Sequence, residues 1–215
     1  MILNPAAAQQ RRRTTLGPDQ ALARLRQGNA DFLADRPRSL PVDHFRRLQI
    51  AIDQTPFAIL VGCSDSRVPP ELLFGAGLGE LFIVRNAGNT IDTVALGSIQ
   101  YGVLVLGVPL IVILGHQRCG AVTAALAAVR ENAEFPGSIG QMIEPIIPAV
   151  LRARSDARHS GEALLEAAIT ENVRLTVERL RDDEPLFADL QHAGKLRIVG
   201  ARYSLDDGEV DFFLE

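Results

Sequence analysis

The 215-residue sequence has no tryptophan, only two cysteines, a net charge of −4 and no hydrophobic run long enough to cross a bilayer. Each shortage excludes something. Two cysteines, Cys63 and Cys119, can form at most one disulfide, so a stapled extracellular scaffold is a poor fit. A small negative charge gives no long-range pull on DNA or RNA, so no nucleic-acid partner is expected. The longest apolar stretch, Val103 to Leu114, is broken by Gly107 and Pro109 and is too short for a membrane span. Near the start, Arg11, Arg12 and Arg13 are followed by Thr14, Thr15 and Gly17, where a secretory signal would need an apolar segment. Residues 1–16 are therefore read as a flexible basic tail and the protein as cytoplasmic, with the periplasm left open.

What is present suits a single α/β domain over 17–215. Hydrophobic residues make up 47% and charged residues 22%, ordinary values for a globular chain of this length. Short aliphatic runs at 57–61, 81–84 and 110–114 predict buried parallel strands. Residues 93–106 predict a crossover helix, and further helices are expected at 121–130, 142–154 and 161–180, with Leu164, Ala168, Leu175 and Leu180 facing inward. An N-terminal helix starts at Pro18, carries Leu22, Leu25 and Phe32 on one stripe, and ends at the Pro37 and Pro41 breaks. Runs at 196–199 and 210–214 flank Asp206-Asp207-Gly208, a turn signal for a hairpin. The expected fold is a central, mostly parallel β-sheet flanked by helices, with an N-terminal helical arm and a C-terminal antiparallel edge strand.

The chemistry-bearing residues sit at strand ends. Cys63 closes the first predicted strand, and His116 and Cys119 follow the third in Gly115-His116-Gln117-Arg118-Cys119-Gly120. In open parallel sheets the ligand crevice lies beyond the carboxyl ends of the strands, so these three can converge. Two thiolates and an imidazole suit Zn²⁺ and leave a fourth tetrahedral position for water or substrate. Taken alone, the same residues could be two small core cysteines and a satisfied loop histidine. Asp65 and Arg67 follow Cys63 closely, at a spacing that permits a carboxylate–guanidinium pair beside the metal. The glycines in Gly75-Ala76-Gly77-Leu78-Gly79 have the wrong spacing for a dinucleotide fingerprint and precede a strand.

Cys63-Ser64-Asp65-Ser66-Arg67-Val68-Pro69 together with the later Gly115–Gly120 run resembles the two signature motifs of the beta-class carbonic anhydrases, and the similarity extends through Gly77–Asn89 and Gly200–Gly208. The resemblance implies reversible hydration of carbon dioxide to bicarbonate and a proton by a zinc-bound hydroxide. Zinc would be held by Cys63, His116 and Cys119, with Asp65 and Arg67 as the dyad that orients and helps deprotonate the metal-bound water. Asp65 would be a fourth ligand in a closed state. Gln54 matches a glutamine that hydrogen-bonds substrate across a dimer interface, and Phe82, Ala87, Tyr101 and Gly120 match positions around the substrate cleft. The implied assembly is a homodimer or homotetramer in which the N-terminal helix embraces the neighbour, which would account for an amphipathic 18–35 segment with little local core to meet. Some members carry an inhibitory bicarbonate site that includes a tryptophan. Here Leu60 stands in that place, although Arg85 and Tyr203 match other members of the site, so the always-open arrangement is expected. His44, His159 and His192 are available as proton shuttles without anything to choose among them.

Two rival readings keep the scaffold: a hydrolase of carbonyl sulfide or carbon disulfide, and a non-catalytic zinc-binding module. The second is disfavoured because structural zinc sites are normally closed by four protein ligands. Two thiolates cancel the metal's charge, so its water is expected to be less acidic than the pKa of about 7 reached with three neutral histidines, unless Arg67 and a desolvated cleft compensate. Stopped-flow hydration should accordingly speed up towards alkaline pH. A flat profile between about pH 6 and about pH 9 would contradict this.

Overall fold

Alternation along three aliphatic strands divides the interior in two, because successive side chains of a strand face opposite sides of its sheet. Leu60, Leu110, Val112, Leu114, Val199 and Ala201 pack on one face; Ile59, Val61, Ile111, Ile113 and Ile198 pack on the other. A computed structural model describes residues 12–36, 40–182 and 184–215. Its strands are β1 (Ala58–Cys63), β2 (Leu81–Asn86), β3 (Leu110–His116), β4 (Arg197–Tyr203) and β5 (Val210–Leu214). They form one sheet in the order β2-β1-β3-β4-β5, parallel except for the antiparallel β4–β5 pair. The predicted mixed sheet with a C-terminal antiparallel edge is what forms.

The helices are α1 (Pro18–Leu33), α2 (His44–Ile50), α3 (Pro70–Leu73), α4 (Thr93–Gln100), α5 (Gly120–Glu131), α6 (Ile139–Ile143), α7 (Ile147–Arg154), α8 (Gly161–Asp182) and α9 (Pro185–His192). Asp43 and Asp92 start α2 and α4 by accepting the N–H groups of Arg46 and Ala95, each at 2.7 Å. Among the described residues no helix is long and apolar enough to cross a membrane. Residues 1–11 of the predicted tail and the Pro37 break lie outside the described residues. Arg12 donates its backbone N–H to Asp53 (2.8 Å), and Leu16 packs against the core.

Four expectations need correction. The 93–106 helix is α only to Gln100 and continues as a π-helical turn over Tyr101–Val105. α1 does find a core in its own chain, burying Ala21, Leu22 and Leu25, while Phe32 remains 38% exposed beside Gly208. Leu175 is only partly buried; the inward stripe of α8 is Leu164, Ala168, Ile169, Asn172, Val173, Val177 and Leu180, which the helical repeat carries past Leu175. β4 runs on to Tyr203, because Gly200 and Arg202, which interrupt the apolar pattern, still pair in the ladder with Ile113 and Gly115 of β3.

The helix without local core is α2, which buries no residue. Phe45, Leu48 and nearby Ile52 are 67%, 59% and 97% exposed. α1, by contrast, is tied to the sheet through buried Asn29, whose Nδ2 donates to Gly208 O (3.0 Å) and whose Oδ1 accepts from Val210 N (2.9 Å). Gly28 lets α1 approach α3 closely, since a Cβ there would fall 2.0 Å from the backbone oxygen of Phe74. Gly28→Ala should therefore cost about 1–3 kcal/mol, read as a lower urea midpoint.

Candidate metal centre

Three chain segments meet beyond the carboxyl ends of the central strands. Cys63 is the last residue of β1, His116 the last of β3, and Cys119 the N-cap of α5. Parallel pairing of Gly62 with Leu114 sets Cys63 beside Gly115, one residue short of His116. A short loop then brings Cys119 back over them, with Arg118 in a left-handed conformation (φ 52°). Gln117 and Arg118 brace that loop. Gln117 Oε1 accepts from Leu205 N at 2.8 Å, the Arg118 guanidinium pairs with Asp206, and Arg118 N donates to Glu166.

The three predicted ligands converge as expected. All are buried, and their ligating atoms lie within 4.8 Å of one another. Cys63 Sγ and Cys119 Sγ are 4.0 Å apart, close to the roughly 3.8 Å expected of two sulfurs bound at ~2.3 Å on tetrahedral zinc. His116 Nδ1 lies 2.8 Å from Gln117 O, which presents Nε2 to the sulfurs; that Nε2 is buried and has no hydrogen-bond partner. An orphaned imidazole nitrogen between two thiols is a cost that a bound cation removes. The donor set fits a borderline-soft divalent ion.

Electrostatics prepare the sulfurs differently. The hydrogen bond shared with Cys119 holds the Cys63 thiol well below the usual cysteine range; burial opposes this, and His116 and the Gly88 and Asp65 backbone amides add to it. Cys119 is pushed up by that same hydrogen bond and by burial, while the N–H groups of Val122 and Ala121 at the start of α5 act the other way.

Asp65 and Arg67 form the predicted pair. Arg67 Nε reaches Asp65 Oδ1 at 2.9 Å and Nη2 reaches Oδ2 at 2.8 Å, with the Arg67 backbone N–H adding a third bond to Oδ1. Arg67's hydrogen bonds hold the carboxyl well below the usual range. Oδ2 lies 3.9 Å from His116 Nε2, so the carboxylate faces the metal centre.

The cleft positions do not all gather there. Ala87, just after β2, and Gly120, just after Cys119, lie beside the ligands. Gln54 precedes β1 and is separated from Cys63 by the whole strand, roughly 20 Å. Phe82 is near the amino end of β2, about 13 Å from the Asn86 that pairs with Cys63, and its ring packs 6.3 Å from Tyr101. Sequence reasoning missed how Arg85 would be used. Its guanidinium binds the backbone oxygens of Cys63 (2.8 Å) and Asp65 (2.7 Å). It also missed the Gly88 N–H that reaches Cys63 Sγ at 3.3 Å. No local pattern marks contacts between residues twenty or more positions apart.

Residues 58–210 match the carbonic anhydrase family profile. "Carbonic anhydrase 2" of Mycobacterium tuberculosis is 42% identical over 193 residues, which cover 89% of this chain and 90% of that protein. The carbonic anhydrase of Mycolicibacterium smegmatis is 40% identical over 194 residues, 90% of this chain and 92% of its own length. Among solved structures, the beta-carbonic anhydrase CcaA superposes with a TM-score of 0.69 at 28% identity, over 90% of this chain and 99% of its own. With the signature residues converging as that fold requires, the chain belongs to the carbonic anhydrase family, in its beta class.

Proposed function

We propose that this chain is a zinc-dependent carbonic anhydrase that hydrates carbon dioxide reversibly to bicarbonate and a proton, with Cys63, His116 and Cys119 holding the ion. The observation that carries the reading is the orphaned His116 Nε2 facing two thiols, with a bidentate Asp65–Arg67 pair beside it. A zinc ion in that position would acidify a water molecule for attack on the carbon of carbon dioxide.

The chain's own groups orient that water. Asp65 Oδ1 already accepts from both the Nε and the backbone N–H of Arg67, whereas Oδ2 accepts only from Nη2 and is the oxygen nearer His116 Nε2. Oδ2 therefore keeps the lone pair that takes a hydrogen bond from the attacking water. Because Arg67 holds the carboxyl low, Asp65 acts as an acceptor and orienter, and the proton passes on to solvent. Arg67 spans both oxygens, which keeps Asp65 off the metal and supports the always-open arrangement. Arg85 is committed to the carbonyls of Cys63 and Asp65, and Leu60 is fully buried in the core.

Gln54 before β1, Phe82 near the start of β2, and Tyr101 packed on Phe82 lie at the far end of these strands from this chain's own centre, so a second copy would supply them to the cleft. A homo-oligomer follows from that division. The half-buried Phe82 and the 39% exposed Tyr101 are placed as such a shared apolar wall would need.

Stopped-flow carbon dioxide hydration with parallel zinc analysis tests the assignment. The unaltered protein should carry one zinc per chain and hydrate rapidly. Asp65→Ala should keep its zinc and lose about 10- to 100-fold in rate, and Cys119→Ser should lose the metal itself. Zinc-loaded protein no faster than buffer would remove the catalytic reading and leave only the fold.

A further inference from the structure

Gly88 sits between a metal ligand and a helix that the signature motifs do not include. The turn joining β2 to α4 is closed by Asn86, whose side chain donates to Thr90 O at 2.7 Å and accepts from Thr90 N at 2.9 Å. Within it, Gly88 and Asn89 are both left-handed, with φ of 81° and 47°. The Gly88 N–H leaves the turn towards Cys63 Sγ, at 3.3 Å, and the Gly88 carbonyl leaves it towards α8, where Asn172 Nδ2 donates to it at 2.9 Å. No side chain fits at position 88, since a Cβ would come within 2.6 Å of Ile146 Cδ1 and 3.0 Å of Ala121 Cβ.

Asn172 is out of place by composition. It is 4% exposed on the inward stripe of α8, flanked by buried Ile169 and Val173. An amide buried among aliphatic groups is costly unless it is hydrogen-bonded, and this one spends its donor on Gly88. Asn86 closes the turn without touching either polar group of Gly88, so an anchor on the Gly88 carbonyl fixes the rotation of that residue about its Cα.

We infer that Asn172 is a positioning residue for Cys63: by holding the Gly88 carbonyl it keeps the Gly88 N–H aimed at Cys63 Sγ, and so fixes the direction and donor strength of one metal-binding sulfur. The inference rests on the zinc reading above. Groups that orient a ligand from outside commonly change metal affinity by about 10- to 100-fold when removed.

Two measurements on the full-length protein separate this role from simple stability. Zinc release into an excess of chelating dye gives a first-order rate, and the cobalt-substituted protein gives a thiolate-to-metal charge-transfer band. Asn172→Leu should release zinc about 10- to 100-fold faster and shift the band. Leu180→Ala, a cavity elsewhere on the inward stripe of α8, should lower the urea midpoint while leaving both readouts unchanged. If Asn172→Leu does not fold, Asn172→Asp keeps the shape, removes the donor and is expected to act in the same direction. Unaltered release and an unshifted band would overturn the inference, as would equal acceleration by Leu180→Ala. If the unaltered protein takes up neither zinc nor cobalt, the metal reading fails and this role falls with it.

Discussion

The parallel pairing of β1 with β3 is the constraint on which the rest of the site depends. Gly62 opposite Leu114 brings Cys63 beside Gly115, one residue short of His116, at the same edge of the sheet, and a slip of one residue would turn the apolar side chains of one strand to the wrong face. The interiors of both strands are fully buried aliphatic residues packed on two sides, so the register is set by the core and not by the metal residues. Catalytic geometry is thus inherited from hydrophobic packing. The third ligand, Cys119, is added by a loop that would not hold its left-handed Arg118 unaided, and the β4–β5 connection clasps it through Gln117 and Asp206.

Charge is arranged around this edge with some economy. Two thiolates leave little net positive charge on a divalent ion, and the nearby cationic groups are arginines. Arg67 grips the Asp65 carboxylate, and Arg85 grips the backbone oxygens of Cys63 and Asp65. The 63–67 segment is therefore held from both sides by guanidinium groups whose planar forks fix orientation as well as charge. Lysine at either position would supply the charge without the fork.

Much of this was legible in the sequence, for reasons that can be named. β1 and β3 showed as aliphatic runs because they are covered on both faces, while β2, expected to be buried as well, is a half-buried edge strand; the ligand set showed because its members fall at strand ends. The Asp206-Asp207-Gly208 turn announced the closing hairpin, and Gly208 indeed adopts φ 85°. What stayed hidden depends on packing between distant segments. Leu175 follows the apolar pattern, yet the axis of α8 turns it to the flank. Asn172 and Gly88 have no sequence relation to each other. The local core beneath α1 comes from Phe74, Leu110 and Val210, far along the chain, and so an amphipathic arm looked unpartnered when it was not. The helix that does lack a core, α2, is too short to announce itself by periodicity.

That bare helix has a thermodynamic consequence. Seven residues with no buried side chain cannot sustain a helix on local propensity, because nucleation is unfavourable and propagation over two turns does not recover it. What ties it down is polar: the Asp43 side chain on Arg46 N and the Arg46 guanidinium on Leu78 O. Opening this segment therefore costs little compared with opening the core around β1 and β3, and α2 is the part of the described fold that unfolds locally with least effort.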